Sequence, residues 1–325
     1  MWLLIGGSGF VGTNFVRFLM ENDYSFRIYD KHRSKYLPKG VKTIIGDIRD
    51  LNKLSQVMKG CEVVFHLATA PPSLRIPKEE VYDIDVNGTQ NVLMAAEENN
   101  VKRVIFTSSA SHVYGLVDKT LCPIKEDCNL NPISEYGENK VIAEELCKIA
   151  SETRELQTVV LRLSMVLGPY NFDPILLENI LPLLRNKRVV ISGDGESKGQ
   201  SIHVEDVNTA LLASAELSDK KLSEDIVFNI SGNEVLTLNE FMDLSKNVSG
   251  STSKATYLPL PLAKVMVGIA WKLGKTKIHP SYLRLMAQDQ YFDMSKAKHI
   301  LGWEPEHTVE EAIKDTVKFL KEKYL

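Results

Sequence analysis

Residues 1–12 read MWLLIGGSGFVG, a short and almost wholly apolar run followed at once by a cluster of glycines. Ordering several glycines costs much chain entropy, so a turn built from them is expected to do something a bulkier residue would obstruct. Trp2 to Gly6 reads as a strand, and Phe10 onward as an amphipathic helix near 10–21. Gly6, Gly9 and Gly12 satisfy GxxGxxG, and counting from Gly7 satisfies GxGxxG. Between a strand and a helix, that spacing permits a tight turn. It also lets a pyrophosphate approach the unpaired N–H groups and the positive end of the helix.

An acid about twenty residues on agrees with this reading. Asp30 ends a second strand, FRIYD, where a carboxylate accepts both hydroxyls of an adenosine ribose. It would repel a 2′-phosphate, so NAD is expected over NADP, although Lys31 and Arg33 follow immediately and suit the phosphate instead. Asp47 in GDIRD ends a third strand and Ala68 in HLATA a fourth. All these positions fall at carboxyl ends of strands, the edge at which open parallel sheets bind ligands.

Outward from this point, strands WLLIG, FRIYD, VKTIIGD, EVVFHLA, RVIFTSS and TVVLRLS alternate with helical segments near 10–21, 51–59, 79–99 and 134–152. Continuous apolar strands fit a parallel sheet covered on both faces. The fold class expected is α/β: a doubly wound Rossmann sheet with a smaller mixed α/β C-terminal substrate domain. The first domain is placed at 1–166, with return segments near 200–212 and 225–231, and the second at 167–325. After Pro169 only VVIS and IVFNI read as strands, and Leu258 to Leu273 (LPLPLAKVMVGIAWKL) reads as a helix against a core or cleft.

The 325 residues suffice for a full core, and 44% hydrophobic with 25% charged residues is an ordinary globular balance. A net charge of −3 gives no reason to expect nucleic acid. Cys61, Cys122, Cys128 and Cys147 lack paired or metal-type spacing and read as free thiols. The seven histidines are scattered, so no metal is expected. A strand starting at residue 1 or 2 leaves no secretory leader, and a cytoplasmic setting without membrane insertion is expected.

The chemistry falls on the same edge. Ser108 and Ser109 close the fifth strand in VIFTSSASHVYG, and SEYGENKVIAEEL follows as a helix with Tyr136 and Lys140 four apart on one face. A phenol near pKa 10 is a poor base at neutral pH. An ammonium about 4 Å away, at an effective dielectric near 20, supplies about 4 kcal/mol, or roughly three pKa units. Tyr136 would then take a proton from a substrate hydroxyl as hydride leaves its carbon, with Ser109 hydrogen-bonded to the same oxygen.

GGSGFVG, Asp30, GDIRD, HLATA, DVNGTQNVLMAA, TSSASHVYG, SEYGENK, LRLSMVLGP, GDG, SIHVEDV and SKAKHILGWEP, in this order, resemble the extended short-chain dehydrogenase/reductases, the NAD-dependent epimerase/dehydratase group. The resemblance implies Ser109, Tyr136 and Lys140 as catalytic residues, and Asn87 as a helix asparagine near the site. It also implies a homodimer pairing the helices near 79–99 and 134–152. The expected cofactor contacts are Gly6, Gly9, Phe10, Val11, Gly12, Asp30, Arg33, Asp47, Ile48, Leu67, Ala68, Thr69, Asn87, Thr107, Tyr136, Lys140 and Leu163. Expected substrate contacts are Ser109, Ser111, Ser164 and Lys198.

Departures narrow the activity. The family's dehydratases carry Asp-Glu after the strand-five Ser/Thr, whereas this chain has Ala110 and Ser111. Sugar-nucleotide epimerases usually carry Asn and Arg where Ser164 and Gly199 stand, with Lys198 adjacent to compensate. TSSASHVYG is one residue longer than the usual epimerase form, and Ile5 replaces the usual Thr. The expected activity is an NAD-dependent oxidoreductase or epimerase moving hydride at a secondary alcohol carbon of a small molecule, nucleotide-sugar 4-epimerase-like. The alternative is a 3β-hydroxysteroid-dehydrogenase-like enzyme on a non-sugar alcohol. A non-catalytic dinucleotide-sensing regulator is a third reading, against which Tyr136 and Lys140 count.

Overall fold

The computed structural model describes residues 1–70, 75–153, 156–218 and 226–325. Twelve strands occur among them: β1 (Trp2–Ile5), β2 (Phe26–Asp30), β3 (Thr43–Ile45), β4 (Val63–His66), β5 (Arg103–Ser109), β6 (Gln157–Leu163), β7 (Met165–Leu167), β8 (Val189–Ser192), β9 (Lys198–His203), β10 (Val227–Ile230), β11 (Val235–Thr237) and β12 (Ala255–Leu258). Seven form one parallel sheet in the order β10-β6-β5-β4-β1-β2-β3. This is the doubly wound Rossmann arrangement, with the strand order reversing between β1 and β4.

Alternation along the central strands explains their continuous apolar runs. Leu3, Ile5, Val64, Val104, Phe106 and Val160 join one buried cluster, while Leu4, Ile28, Phe65, Ile105, Val159 and Leu161 join another. Successive side chains point to opposite faces, and helices cover both. The helix Phe10–Glu21 supplies Phe15, Val16 and Leu19 to the second cluster, beside Val207, Ala210 and Leu211 of the helix Val204–Glu216.

The segment after β6 holds more strands than expected. β11, β9 and β7 make a three-stranded sheet, and β12 pairs with β8. These short strands lack a long apolar run, which is why only VVIS stood out there. Val227–Ile230 of IVFNI pairs with β6 in the main sheet; Asp225, where the expected return segment begins, lies outside the described residues. The helices Pro174–Leu184, Leu238–Ser249 and Val309–Tyr324 pack around a separate cluster containing Leu183, Ile191, Met242, Ile313 and Val317.

One expectation holds only in part. The stretch from Leu258 does form a helix, Leu260–Lys272, but of its residues only Ala263 is buried. Leu262, Val265, Met266 and Ile269 face out, while Leu260, Val267, Ala270 and Trp271 are half-buried on the other side.

Candidate active site

The carboxyl ends of the sheet strands open onto a cleft of about 1240 Å³. Its first wall is the glycine turn. Gly6 has φ +84°, and a Cβ there would lie 2.5 Å from the backbone N of Ala68. A Cβ on Gly12 would lie 2.5 Å from the carbonyl oxygen of Gly6. Side chains at either position would strike backbone and force the turn open. Gly9 precedes the helix Phe10–Glu21 with no side-chain cap and no acid in the first turn, so that helix end is left to an anion. These features fit the pyrophosphate of a dinucleotide.

Asp30 closes the turn from the other side. Its Oδ2 accepts the Ser8 N–H at 2.9 Å and its Oδ1 the His32 N–H at 3.1 Å. Burial raises this carboxyl above its ordinary value, against these backbone bonds. Asp30 therefore holds the glycine loop as well as facing the cleft. Lys31 reaches Asp47 at 3.7 Å, and Asp47 is itself gripped by Arg49 through two side-chain bonds of 3.0 and 2.6 Å, which hold its carboxyl down at about 2. Of the two cations after Asp30, Lys31 is thus turned toward another carboxylate, while Arg33 donates to the Val41 carbonyl at 3.4 Å.

Ser109, Tyr136 and Lys140 line the same cleft. Ser134 positions the last two: its Oγ accepts the Gly137 N–H at 3.2 Å, starting the helix Glu135–Thr153 so that Tyr136 falls in the first turn. Lys140 is buried, donates to the Thr107 carbonyl at 2.9 Å, and lies 4.5 Å from the Phe106 ring centroid and 5.7 Å from that of Tyr136. The expected lowering of the Tyr136 phenol by Lys140 is not what the protein's own groups produce. Burial pushes the phenol up and Asp85 adds to it, against a hydrogen bond with Thr69; Asp173 also raises it. Burial pulls Lys140 down, opposed by Asp85, then Glu144 and Cys147.

Of the expected contacts, Gly6, Gly9, Phe10, Val11, Gly12, Asp30, Arg33, Asp47, Ile48, Leu67, Ala68, Thr69, Thr107 and Leu163 line the cleft, as do Ser111, Ser164 and Lys198. Asn87 does not. It is exposed and its amide donates to Asp83 at 2.9 Å. The residue turned inward is Asp85, two positions earlier in a π-helical turn, Asp83–Asn87. Its Oδ1 accepts from Thr69 Oγ1 at 2.9 Å and from Ala70 N at 2.8 Å, and its Oδ2 is buried without a hydrogen-bond partner. A π turn shifts side-chain phase, so the position taken from the resemblance is not the one that faces in.

Sequence reasoning also missed His112 and Tyr282, which both line the cleft. The His112 ring stands edge-on to Tyr136 and to Tyr282, each 5.0 Å between centroids. The extra residue in TSSASHVYG was the available signal. Nor are the histidines all scattered: His203 and His307 stack 4.5 Å apart, and with Glu205 their ligand atoms lie within 4.8 Å of one another. Nδ1 of His203 accepts the Glu205 N–H at 3.1 Å, which puts its proton on Nε2, 3.4 Å from Asp315. That nitrogen has no lone pair to offer a metal.

Residues of the C-terminal half add Leu176, Ile180, Leu236, Phe241, Leu285 and Met286 to the cleft lining, alongside the polar Asn179, Glu234, Thr237 and Gln288, with Lys198 as the one lysine or arginine among the described lining residues from that half.

A sequence profile described as "NAD dependent epimerase/dehydratase family" matches residues 2–231. A UDP-glucose 4-epimerase of Lactobacillus helveticus is 30% identical over 94% of this chain and 92% of its own length. The mouse sterol-4-alpha-carboxylate 3-dehydrogenase, decarboxylating, is 29% identical over 97% and 89%. Among solved structures, the UDP-glucose 4-epimerase of Thermotoga maritima with UDP-glucose superposes with a TM-score of 0.83 at 27% identity, covering 100% of this chain and 99% of the other.

Proposed function

This chain belongs to the NAD dependent epimerase/dehydratase family, and from that premise we propose that Tyr136 is the general acid and base for hydride transfer at a secondary alcohol carbon of a nucleotide sugar. The protein is an NAD-dependent enzyme. Bound NAD supplies the hydride acceptor and a positive ring. Tyr136 exchanges a proton with the substrate oxygen, Ser109 holds that oxygen, and buried Lys140 sets the charge behind the phenol. The observation that carries this reading is that these three side chains share one cleft with the uncapped glycine turn and Asp30. The relatives named as UDP-glucose 4-epimerases support the sugar nucleotide.

A second reading, a non-sugar alcohol substrate, is favoured by the apolar side chains Leu176, Ile180, Leu236, Phe241, Leu285 and Met286 in the cleft lining and by Lys198 as the single lysine or arginine among the described lining residues of the C-terminal half. The sterol dehydrogenase relative supports it. The two readings separate on one comparison: a thermal shift with UDP and conversion of UDP-glucose to its 4-epimer favour the first. NADH release from apolar secondary alcohols, with no response to UDP, favours the second.

The same proposal includes a division near residue 166, supported by β10 lying beside β6 and by the packing of Val204–Glu216 against Phe10–Glu21. It includes a homodimer, supported by exposed Tyr82, Ile142 and Ile149 on the helices named for pairing. Four free cysteines support a cytoplasmic setting.

A further inference from the structure

The helix Leu260–Lys272 carries an exposed apolar face. Leu262, Val265, Met266 and Ile269, with Leu273 just beyond, are 48%, 60%, 51%, 55% and 63% exposed. Positions 262, 266, 269 and 273 recur at four, three and four residues, so they form one stripe, which surface helices normally turn inward. No Asp or Glu occurs from residue 244 to residue 288, although the chain as a whole is net negative. The same stretch holds Lys246, Lys254, Lys264, Lys272, Lys275, Lys277 and Arg284, and Lys272, Lys275 and Lys277 are exposed beside the end of the stripe.

We propose that this helix docks the protein on an anionic lipid surface, with its apolar stripe at the acyl boundary and its lysines among the headgroup phosphates. Segregated positive charge around an exposed apolar face fits that partner. A second copy of the chain fits poorly, because a symmetric contact would set the same lysines against each other with no acid in the segment to answer them. At about 20 Å the helix is too short to span a bilayer, and no described helix is long and apolar enough to do so.

The helix is firmly seated for this role. The Arg75 guanidinium lies 4.1 Å from the Trp271 ring centroid and donates to the carbonyls of Trp271 and Thr276. Glu178, an acid that reaches the segment, is taken up by Thr276 Oγ1 and Lys277 N. The next helix, Tyr282–Met286, puts Tyr282, Leu285 and Met286 on the cleft wall. Docking would therefore set the cleft beside the lipid surface, whichever substrate it takes.

Sedimentation of the full chain with vesicles tests this. Binding is expected to vesicles of phosphatidylcholine mixed with phosphatidylglycerol and to fall at high salt, with binding to phosphatidylcholine alone at least about tenfold weaker. Ile269→Glu, and separately Lys272→Glu with Lys275→Glu, should each weaken it at least about tenfold while leaving thermal melting unchanged. Absence of binding, equal binding to both vesicle types, or wild-type binding by the charge-reversed protein would overturn the proposal. So would a concentration-dependent dimer that Ile269→Glu abolishes in a protein that ignores vesicles.

Discussion

Ser109 Oγ lies 3.0 Å from Nδ1 of His112, three residues on in the short helix that follows β5. Burial, with Lys140 adding to it, holds the imidazole down at about 4, so it is neutral near pH 7. Its Nε2 is buried without a partner. An unpaired buried N–H is costly, so the proton belongs on Nδ1, donated to Ser109. That leaves the serine O–H free to point into the cleft.

His112→Ala should therefore lower kcat by roughly ten- to hundredfold, or about 1.4–2.7 kcal/mol, with NAD affinity little changed. His112→Asn, whose amide can replace the Nδ1 donor, should recover most of the loss. Steady-state kinetics on the three proteins checks this; equal damage by both substitutions would mean that His112 serves only packing.

Tyr136→Phe keeps the ring and its contact with His112 but removes the proton-transferring oxygen. General acid–base catalysis is worth about 10²- to 10⁴-fold, and kcat should fall by that much. Cofactor titration by fluorescence should show NAD affinity within a few-fold of the parent. Near-normal turnover would remove Tyr136 from the chemistry.

Asp85→Asn tests the electrostatics. After burial, the Asp85 charge is the leading influence raising the Tyr136 phenol, and an amide preserves an acceptor for Thr69 and Ala70. Without the charge the phenol ionises more readily. The alkaline-rising limb of the pH–rate profile for alcohol oxidation should move to lower pH. An unmoved or opposite limb would separate Asp85 from the titration of Tyr136.

His307 links pH to stability. Burial pulls its imidazole down, but the Asp206 hydrogen bond at 2.8 Å and the charges of Asp206, Glu205 and Glu311 outweigh it, so the folded-state value is raised. A raised value stabilises the fold fully below the unfolded value of about 6.5 and loses that contribution as pH climbs through the folded value. Urea midpoints should decline over that window in the parent, and His307→Gln should flatten the decline.

The nucleotide half was legible because its signals are local. GGSGFVG needs glycine where a Cβ would strike Ala68 or Gly6, and runs such as Val63-Val64-Phe65 are apolar throughout because both faces are covered. The inward turn of Asp85 in place of Asn87 was not legible, since it depends on a π turn. His112 was visible only as an extra residue in a familiar stretch.

What the sequence by itself determined is the glycine turn, the strand alternation, the acid at the end of β2 and the spacing of Tyr136 and Lys140, because each is a short-range pattern with one steric or electrostatic solution. Only the tertiary structure decided the sign of the Tyr136 shift and the outward face of Leu260–Lys272. Burial and charge balance are sums over neighbours far apart in the chain, and an apolar stripe looks the same in sequence whether a core or a lipid surface is meant to receive it.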